Sequence, residues 1–323
     1  MGDLTIEPID GKTFGAVVRG VGLAHSSDTE FDRIREALLT CGFLVFPEQF
    51  LGDDEQVAFG RRFGELEFGA VALSNRERRD DGTLGEAYDL DNIRMRIMIG
   101  NEGWHTDSTY HPISSKCAML SAIEVPDQGG ETQFADARAG YTALDPATRA
   151  RISGLGAYHS LQYSQAADLG HFPPENAGTL FHGEAYLRPL VKVHPETGRK
   201  SLFIGRHAFG IPGLGREESR ALLESLVEFV VADPRRVYSH RWQPGDTLLW
   251  DNRALLHQAR PYDYRQSRVL IGTRVAGDPE SELAYYPSDP QAEAGRRALA
   301  AELALLREAR GAGTELPAGE GSR

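Results

Sequence analysis

Two short segments of this chain carry three side chains of the types that bind a metal ion together. His105 and Asp107 flank Thr106 in the segment Gly-Asn-Glu-Gly-Trp-His-Thr-Asp, and His257 lies far downstream. Two imidazoles and one carboxylate are the ligand set of mononuclear non-haem iron(II) centres, where they leave open positions for chemistry. Alternate residues of a β-strand project from the same face, so we expect His105 and Asp107 to bind one ion from one strand.

The composition is that of an ordinary globular protein. Hydrophobic residues make up 41% of the 323 residues and charged residues 25%, so the bulk of the chain should fold around a full core. The net charge of −12 repels nucleic acids and anionic membranes at long range. We therefore expect a small-molecule substrate. An anionic substrate is compatible with this charge, because a few arginines in a cleft can reverse the local field.

Cysteine usage and the apolar runs predict a cytoplasmic protein. Cys41 and Cys117 are the two cysteines, and both sit among apolar residues, as free thiols do in a reducing compartment. The first residues lack a basic start followed by an apolar run. No stretch reaches the roughly 18 apolar residues that a membrane span needs, so we expect no membrane partner.

Hydrophobic periodicity predicts helices mainly in the first third and in the connections, with short strands elsewhere. A run of polar and charged residues over 72–92 predicts a long surface loop, which we interpret as a lid. The predicted helices cover 28–40, the segment between Asp53 and Gly64, 142–155, 216–231 and 291–310. The predicted strands cover 42–46, 93–100, 116–125, 190–194, 201–204, 246–250 and 268–275.

This pattern predicts a mainly β fold with helices (α+β), in which a double-stranded β-helix core of the jelly-roll, cupin-like type carries flanking helices and a lid insertion. Such closure brings strands that are distant in sequence side by side. We predict one domain over residues 1–278, a C-terminal extension with a helix over 279–310, and a disordered tail over 311–323. The Leu stripe of the extension can pack on its own domain or on a partner subunit, and we expect a homo-oligomer.

Further motifs accompany the triplet. They are Gly129-Gly130 followed by Thr132, the segment Trp250-Asp251-Asn252 before His257, and Arg268 eleven residues after that histidine. With the triplet, they resemble the TauD/TfdA family of iron(II)- and 2-oxoglutarate-dependent dioxygenases, from about residue 4 to residue 278.

The resemblance implies Fe(II) as the metal, 2-oxoglutarate as cosubstrate and O2 as oxidant. It implies that His105, Asp107 and His257 are the iron ligands and catalytic residues. It also implies that Arg268, helped by the hydroxyl of Thr132, binds the distal carboxylate of 2-oxoglutarate. A guanidinium presents a two-pronged donor fork to a carboxylate, so these residue types suit that role.

The substrate side of the site departs from the taurine-type pattern. That pattern has a second arginine four residues after the first, where this chain has Gly272. Arg274 should lie about 20 Å from Arg268 along an extended strand, which makes it a weak replacement. The segments starting at His159 and at Val193 look closest to the branch that acts on (S)-phenoxypropionates and phenoxyacetates, which implies ether cleavage to a phenol and a 2-oxo acid.

We predict a substrate site with polar groups for an acid and apolar walls. The polar candidates are Asn101, Arg206 and His207, and the candidates for the walls are Leu73, Tyr110, Phe203 and Phe209. Three alternatives stay open: a hydroxylase of another small acid, amino-acid derivative or natural-product intermediate, a zinc hydrolase on the same ligands, and a non-catalytic binding protein. Neither of the last two explains Arg268 and Thr132.

Overall fold

The computed structural model describes residues 3–79, 81–173, 180–285 and 292–312. The strands within these ranges are β1 (Thr5–Pro8), β2 (Ala16–Arg19), β3 (Phe43–Phe46), β4 (Leu66–Ser74), β5 (Arg76–Arg78), β6 (Leu84–Ala87), β7 (Ser115–Glu124), β8 (Thr132–Asp136), β9 (Gly156–His159), β10 (Tyr186–Pro189), β11 (Val191–Val193), β12 (Lys200–Leu202), β13 (Ala208–Phe209), β14 (Val237–His240), β15 (Thr247–Asp251), β16 (Leu255–Ala259) and β17 (Val269–Ala276). The helices are α1 (Asp28–Cys41), α2 (Asp53–Arg61), α3 (Ile93–Gly100), α4 (Ala137–Ala143), α5 (Pro146–Ile152), α6 (Leu161–Leu169), α7 (Arg216–Val231), α8 (Pro279–Glu282) and α9 (Ala292–Ala312).

Two β-sheets face each other and enclose the core. The large sheet has the order β1-β2-β3-β15-β7-β17-β4, and the small sheet has the order β14-β8-β16. Phe43 of β3 stacks on Phe134 of β8 with ring centroids 4.3 Å apart, and Phe134 meets Trp250 of β15 edge-on. Strands far apart in sequence pair within each sheet, as a jelly roll requires. The predicted α+β fold with a jelly-roll core is confirmed.

The central strands are buried on both faces, which explains their unbroken apolar runs. Leu248 and Trp250 of β15 point into the core between the sheets, whereas Leu249 points to the outer face of the large sheet. Helices α1 and α2 cover that outer face with side chains that include Ile34 and Phe59. The outer face of the small sheet is covered in the same way by α7, whose bounds match the prediction.

Helix termini differ slightly from the predictions. Ser27, rather than Asp28 or Thr29, caps α1, because its hydroxyl accepts from the Glu30 amide while the Glu30 carboxylate accepts from the Ser27 amide. The helix predicted over 142–155 is the shorter α5, which Asp145 caps, and residues 142 and 143 belong to the end of α4.

The C-terminal helix α9 packs on its own domain, where Leu299 and Leu303 lie in a cluster with Phe209. The predicted start of this helix at residue 291 lies outside the described residues. The helix continues to Ala312, past the predicted end, so residues 311 and 312 of the predicted tail are helical. The rest of that tail also lies outside the described residues. No helix in the described ranges combines the length and the apolar character that crossing a membrane demands.

Two predictions for the segment before the metal-binding triplet were wrong. Residues 93–100 form α3 rather than a strand, because the Asn92 side chain caps the Arg94 amide and starts a helix. Alternation of apolar residues with arginines had imitated the two-residue period of a strand. Residues 72–92 are not a plain loop, since they contain the end of β4 and the β5–β6 hairpin. An exposed two-stranded hairpin has the same polar composition as a loop, so composition did not separate them.

The contact between the sheets predicts a large effect of one core substitution. Phe134 is fully buried and contacts aromatic rings of the opposite sheet. We expect Phe134→Ala to lower the free energy of unfolding by about 3–5 kcal/mol in urea denaturation, because it leaves a cavity. Leu90→Ala, at a side chain that is 58% exposed, should change it by less than about 0.5 kcal/mol. Equal effects of the two substitutions would contradict this packing.

Candidate active site

His105 and His257 lie opposite each other across a single antiparallel bridge. The His105 amide donates to the His257 carbonyl at 2.9 Å, and the His257 amide donates to the His105 carbonyl at 2.8 Å. His257 belongs to β16, but His105 is an isolated bridge residue and not part of a strand as predicted. Asp107 begins a turn in which Ser108 has a φ of 55°. The backbone turn, rather than strand alternation, therefore places Asp107 beside the two histidines.

The three predicted metal ligands form one compact donor set. Ligand-type atoms of His105, Asp107 and His257 all lie within 4.8 Å of one another, and all three residues are buried. Oδ2 of Asp107 is 3.7 Å from Nε2 of His257 and, among the described residues, has no hydrogen-bond partner. A buried carboxylate oxygen without a partner is costly, and a bound cation would satisfy it. The donor set fits a single Fe(II) ion.

Hydrogen bonding and burial prepare the imidazoles for a metal ion. Nδ1 of His105 is 2.7 Å from the carbonyl oxygen of Gly103, which can only accept, so Nδ1 carries the proton and the Nε2 lone pair is available. Burial, reinforced by the nearby His257, lowers the pKa of His105 well below its ordinary value. Burial also lowers the pKa of His257. Both rings are therefore neutral at neutral pH, as a metal ligand must be.

The Trp-Asp-Asn motif supports Asp107 from the large sheet. Oδ1 of Asn252 accepts from Nε1 of Trp250 at 3.0 Å, and Nδ2 donates to the Ser115 hydroxyl at 2.7 Å. With the amide fixed in this way, its Oδ1 lies 3.4 Å from the backbone nitrogen of Asp107. The motif therefore orients the turn that carries the carboxylate.

Arg268 is a buried cation for which the described residues provide no ion-pair partner. Within the described part of the chain, no carboxylate lies at ion-pair distance from its guanidinium, whose Nε donates to the Gly130 carbonyl at 3.1 Å. Its backbone amide donates to Oδ1 of Asn75, a residue directly after β4 that the sequence did not single out. Burial lowers the pKa of Arg268, so its charge is costly until an anion binds.

Thr132 can donate a hydrogen bond in the same region. It is the first residue of β8, next to β16, and it pairs with Ala259. Its Oγ1 accepts from Nε1 of Trp242 at 3.0 Å, which leaves the hydroxyl proton for another acceptor.

Arg274 lies at the donor set, a position that the sequence did not predict. Its Nη2 donates to Oδ1 of Asp107 at 2.6 Å, and its Nη1 donates to the Ser108 hydroxyl at 3.1 Å. The prediction considered only the distance to Arg268 along β17. The distance along the strand does not show that the turn after His105 contacts the end of β17 that carries Arg274. Strand parity with Arg268 was the one signal in the sequence that pointed to it.

Tyr110 and His207, two of the predicted substrate residues, are near the donor set. The His207 ring centroid is 5.7 Å from that of His105 and 4.8 Å from that of Tyr110. Nδ1 of His207 is hydrogen-bonded to the Ser164 hydroxyl at 2.9 Å, which fixes the ring. Burial, followed by the charge of Arg206, lowers the pKa of His207 well below its ordinary value, so it is neutral.

Leu73 and Asn101 border the site at other points. A Cβ atom at Gly272 would lie 3.4 Å from Leu73, so the position of the taurine-type second arginine faces an apolar wall. Asn101 ends α3, and its carbonyl accepts from the Ala259 amide at 2.8 Å. That bond places it beside the strand of His257.

Three predicted substrate residues face other parts of the fold. The Arg206 guanidinium donates to Asp168 at 2.7 Å, so its charge is already neutralised. Phe209 stacks on Tyr163 at 4.7 Å, in the cluster beneath α9. Phe203 is buried, and its ring centroid lies 6.0 Å from that of His159. Arg206 and Phe209 are therefore structural residues rather than substrate-binding ones. The guanidinium of Arg206 is paired with a carboxylate of the protein, and the ring of Phe209 is covered by α9.

Comparisons with known proteins agree with this geometry. The family described as "Taurine catabolism dioxygenase TauD, TfdA family" matches residues 5–274. The chain is 52% identical to the (S)-phenoxypropionate/alpha-ketoglutarate-dioxygenase of Sphingobium herbicidovorans, over 86% of this chain and 97% of that protein. It is 46% identical to the protein of the same name from Delftia acidovorans, over 84% of this chain and 95% of the relative.

A solved structure extends the likeness to three dimensions. The crystal structure of AAD-2 in complex with Mn(II) and N-oxalylglycine superposes with a TM-score of 0.78 at 35% identity. The match covers 85% of this chain and 98% of that one.

The donor set predicts stoichiometric binding of a divalent ion. Under anaerobic conditions we expect one Co(II) ion per chain in a calorimetric titration. His257→Ala should weaken binding by more than the roughly 10–100-fold that loss of a supporting residue costs. His171, which the structure places outside the donor set, offers a control, and His171→Ala should bind as the unsubstituted protein does. Equal loss in both variants would refute the assignment of His257.

Proposed function

Because the chain belongs to the TauD, TfdA family of dioxygenases, we propose that it uses Fe(II), 2-oxoglutarate and O2 to cleave the ether bond of aryloxyalkanoates. The products are a phenol and a 2-oxo acid, together with succinate and CO2 from 2-oxoglutarate. The substrate class rests on the two relatives named for (S)-phenoxypropionate, at 52% and 46% identity. The use of this class by the present chain is the part of the proposal that needs a test.

The observation that carries the proposal is a pair of buried groups that the protein leaves incompletely satisfied. Oδ2 of Asp107 lacks a partner among the described residues, beside His105 and His257. Arg268, directly before the strand β17 that carries Arg274, lacks an anion among the described residues. A cation at the first place and a dicarboxylate at the second would satisfy both. A zinc hydrolase or a binding protein would leave Arg268 unexplained.

The residues of the site have distinct roles in the proposed reaction. His105, Asp107 and His257 would hold Fe(II), and Arg268 with Thr132 would hold the distal carboxylate of 2-oxoglutarate. The bound metal and cosubstrate would supply the oxidation of a substrate C–H bond, coupled to decarboxylation of 2-oxoglutarate. The protein positions the reacting carbon and keeps water away, which the burial of the whole donor set favours.

Ether cleavage follows from hydroxylation without a further catalyst. One atom of O2 enters succinate, and the other becomes a hydroxyl group on the carbon next to the ether oxygen. The resulting hemiacetal or hemiketal collapses: its hydroxyl proton is lost, a carbonyl forms, and the bond to the aryloxy oxygen breaks. That oxygen takes up a proton and leaves as the phenol, so atoms and electrons balance.

Apolar and neutral groups near the donor set suit an aryl ring better than a sulfonate. We propose Tyr110, His207, Asn101 and Leu73 as substrate-binding residues. Support comes from the ring contact of Tyr110 with His207 at 4.8 Å, and from the leucine that faces Gly272. Hydroxylation of another small acid, an amino-acid derivative or a natural-product intermediate is the second candidate, since the same residues could accept a different apolar acid.

We also propose that the protein is a cytoplasmic homo-oligomer. Both cysteines, Cys41 and Cys117, are free thiols, which favours a reducing compartment. The oligomeric state stays a prediction from the sequence.

A product assay tests the reaction. With Fe(II), 2-oxoglutarate and (S)-2-phenoxypropionate in air, we expect phenol and succinate in equal amounts. Both should vanish in His105→Ala, because the variant lacks a metal ligand. Succinate formation that depends on other acids, with no phenol from any aryloxy compound, would exclude aryloxyalkanoates and favour the second candidate.

The unpaired cation predicts which constant a substitution changes. Arg268→Gln should raise the KM for 2-oxoglutarate by about 10- to 100-fold, the cost of losing a hydrogen-bonded charge pair of about 1.5–3 kcal/mol. Arg268→Lys should recover part of the loss, since an ammonium keeps the charge but lacks the fork. Arg265 is a neighbouring arginine that is exposed and paired with Asp263, so Arg265→Gln is the matched control. An unchanged KM in Arg268→Gln would reject this role.

A further inference from the structure

Arg274 is a charged residue beside the donor set to which the proposed reaction assigns no role. It lies on β17, and its side chain is only 17% exposed. A buried guanidinium needs a reason, because taking a charge out of water is expensive unless it is paired. Here the pairing is with Asp107, one of the three residues of the donor set.

The two carboxylate oxygens of Asp107 have different surroundings. Oδ1 accepts from Nη2 of Arg274 at 2.6 Å. Oδ2 faces Nε2 of His257 at 3.7 Å and has no hydrogen-bond partner among the described residues. Carboxylates can bind an ion through one oxygen or through both. The guanidinium occupies one oxygen and leaves the other for the ion.

The guanidinium is itself held on several sides. Its Nη1 donates to the Ser108 hydroxyl at 3.1 Å and lies 3.6 Å from Oε1 of Glu67. The Ser108 hydroxyl is 2.7 Å from each carboxylate oxygen of Glu67, and the Phe68 ring lies beneath the guanidinium at 4.7 Å. The hydrogen bonds and the ring contact restrict rotation of Arg274, so the position of its Nη2 is defined independently of Asp107.

We propose that Arg274 is a positioning residue that keeps Asp107 a ligand through one oxygen only. The proposal rests on the proposed function, because it concerns the ion that this function requires. Two imidazoles and one carboxylate oxygen leave three of six positions for the two donor atoms of 2-oxoglutarate and for O2. A carboxylate bound through both oxygens would take one of these positions. Arg274 prevents that by holding the second oxygen.

A substrate carboxylate is the other anion that could pair with Arg274. The guanidinium already faces two carboxylates, those of Asp107 and Glu67. A third anion at this place would meet a region whose positive charge is already compensated, so it would gain little. The surroundings of Arg274 therefore favour positioning over substrate binding.

The test uses purified full-length protein loaded with Co(II) without oxygen, and its visible spectrum before and after addition of 2-oxoglutarate. In Arg274→Gln we expect a changed visible spectrum before 2-oxoglutarate is added, because the second oxygen of Asp107 would replace a water ligand of the ion. The affinity for 2-oxoglutarate should fall at least about tenfold. Co(II) itself should bind at least as tightly as in the unsubstituted protein, because a nearby positive charge that repels the ion has been removed.

Two further variants separate positioning from general support. Arg274→Lys keeps a charged donor and should restore both the spectrum and most of the affinity for 2-oxoglutarate. Arg138 forms a comparable buried pair with Asp136 at 3.0 Å, and that carboxylate is not part of the donor set. Arg138→Gln should therefore lose stability while its Co(II) spectrum and its affinity for 2-oxoglutarate stay unchanged.

Each other outcome overturns a stated part of the account. An unchanged Co(II) spectrum in Arg274→Gln rejects the proposal, and so does a higher KM for the aryloxy substrate as the sole change, which would make Arg274 a substrate anchor. Co(II) affinity that falls about 10- to 100-fold would mean that Arg274 merely supports the fold of the site. If the unsubstituted protein binds no Co(II), or if 2-oxoglutarate leaves its spectrum unchanged, the proposed function fails instead.

Discussion

The paired backbone hydrogen bonds between His105 and His257, at 2.9 and 2.8 Å, are the constraint on which the rest of the site depends. They attach the turn that carries Asp107 to β16, so ligands from distant parts of the sequence share one frame. The same strand pairs with β8, where Ala259 lies opposite Thr132. A shift of β16 by one residue would turn His257 from the core to the outer face, since alternate residues of a strand face opposite sides. The small sheet therefore sets the ion site and one wall of the cosubstrate site together.

Charge is distributed unevenly along the inner side of β17. At one end, the positive charge of Arg274 is compensated by the carboxylates of Asp107 and Glu67. At the other end, Arg268 is buried without a carboxylate among the described residues. Between them, Gly272 faces leucines. An anion is therefore attracted to the Arg268 end of the strand, and an apolar group fits against its middle. A dicarboxylate cosubstrate requires the first environment and an aryl substrate the second.

The sequence predicted the chemistry of the site better than its local structure. Residue types pointed to the metal ligands, and the resemblance to the TauD/TfdA family pointed to Arg268, because metal and carboxylate binding demand particular side chains. The strand predicted over 93–100 was wrong because the apolar pattern of this segment fits a strand, whereas the capping residue Asn92 starts a helix there. The role of Arg206 was misjudged and the contact of Arg274 with the donor set was missed, since the partners of a charged side chain are set by tertiary contacts. Asp168 neutralises Arg206, and a turn brings Asp107 to Arg274. Neither contact is local in sequence.

The most direct measurement of the central claim is the visible spectrum of the Fe(II)-loaded protein on addition of 2-oxoglutarate without oxygen. If the cosubstrate binds the ion held by His105, Asp107 and His257, a metal-to-ligand charge-transfer band must appear, and it must be absent from His257→Ala. Saturation of the band should need far more 2-oxoglutarate in Arg268→Gln. Bound Fe(II) with no new band at saturating 2-oxoglutarate would contradict the assignment of this site to a 2-oxoglutarate-dependent dioxygenase.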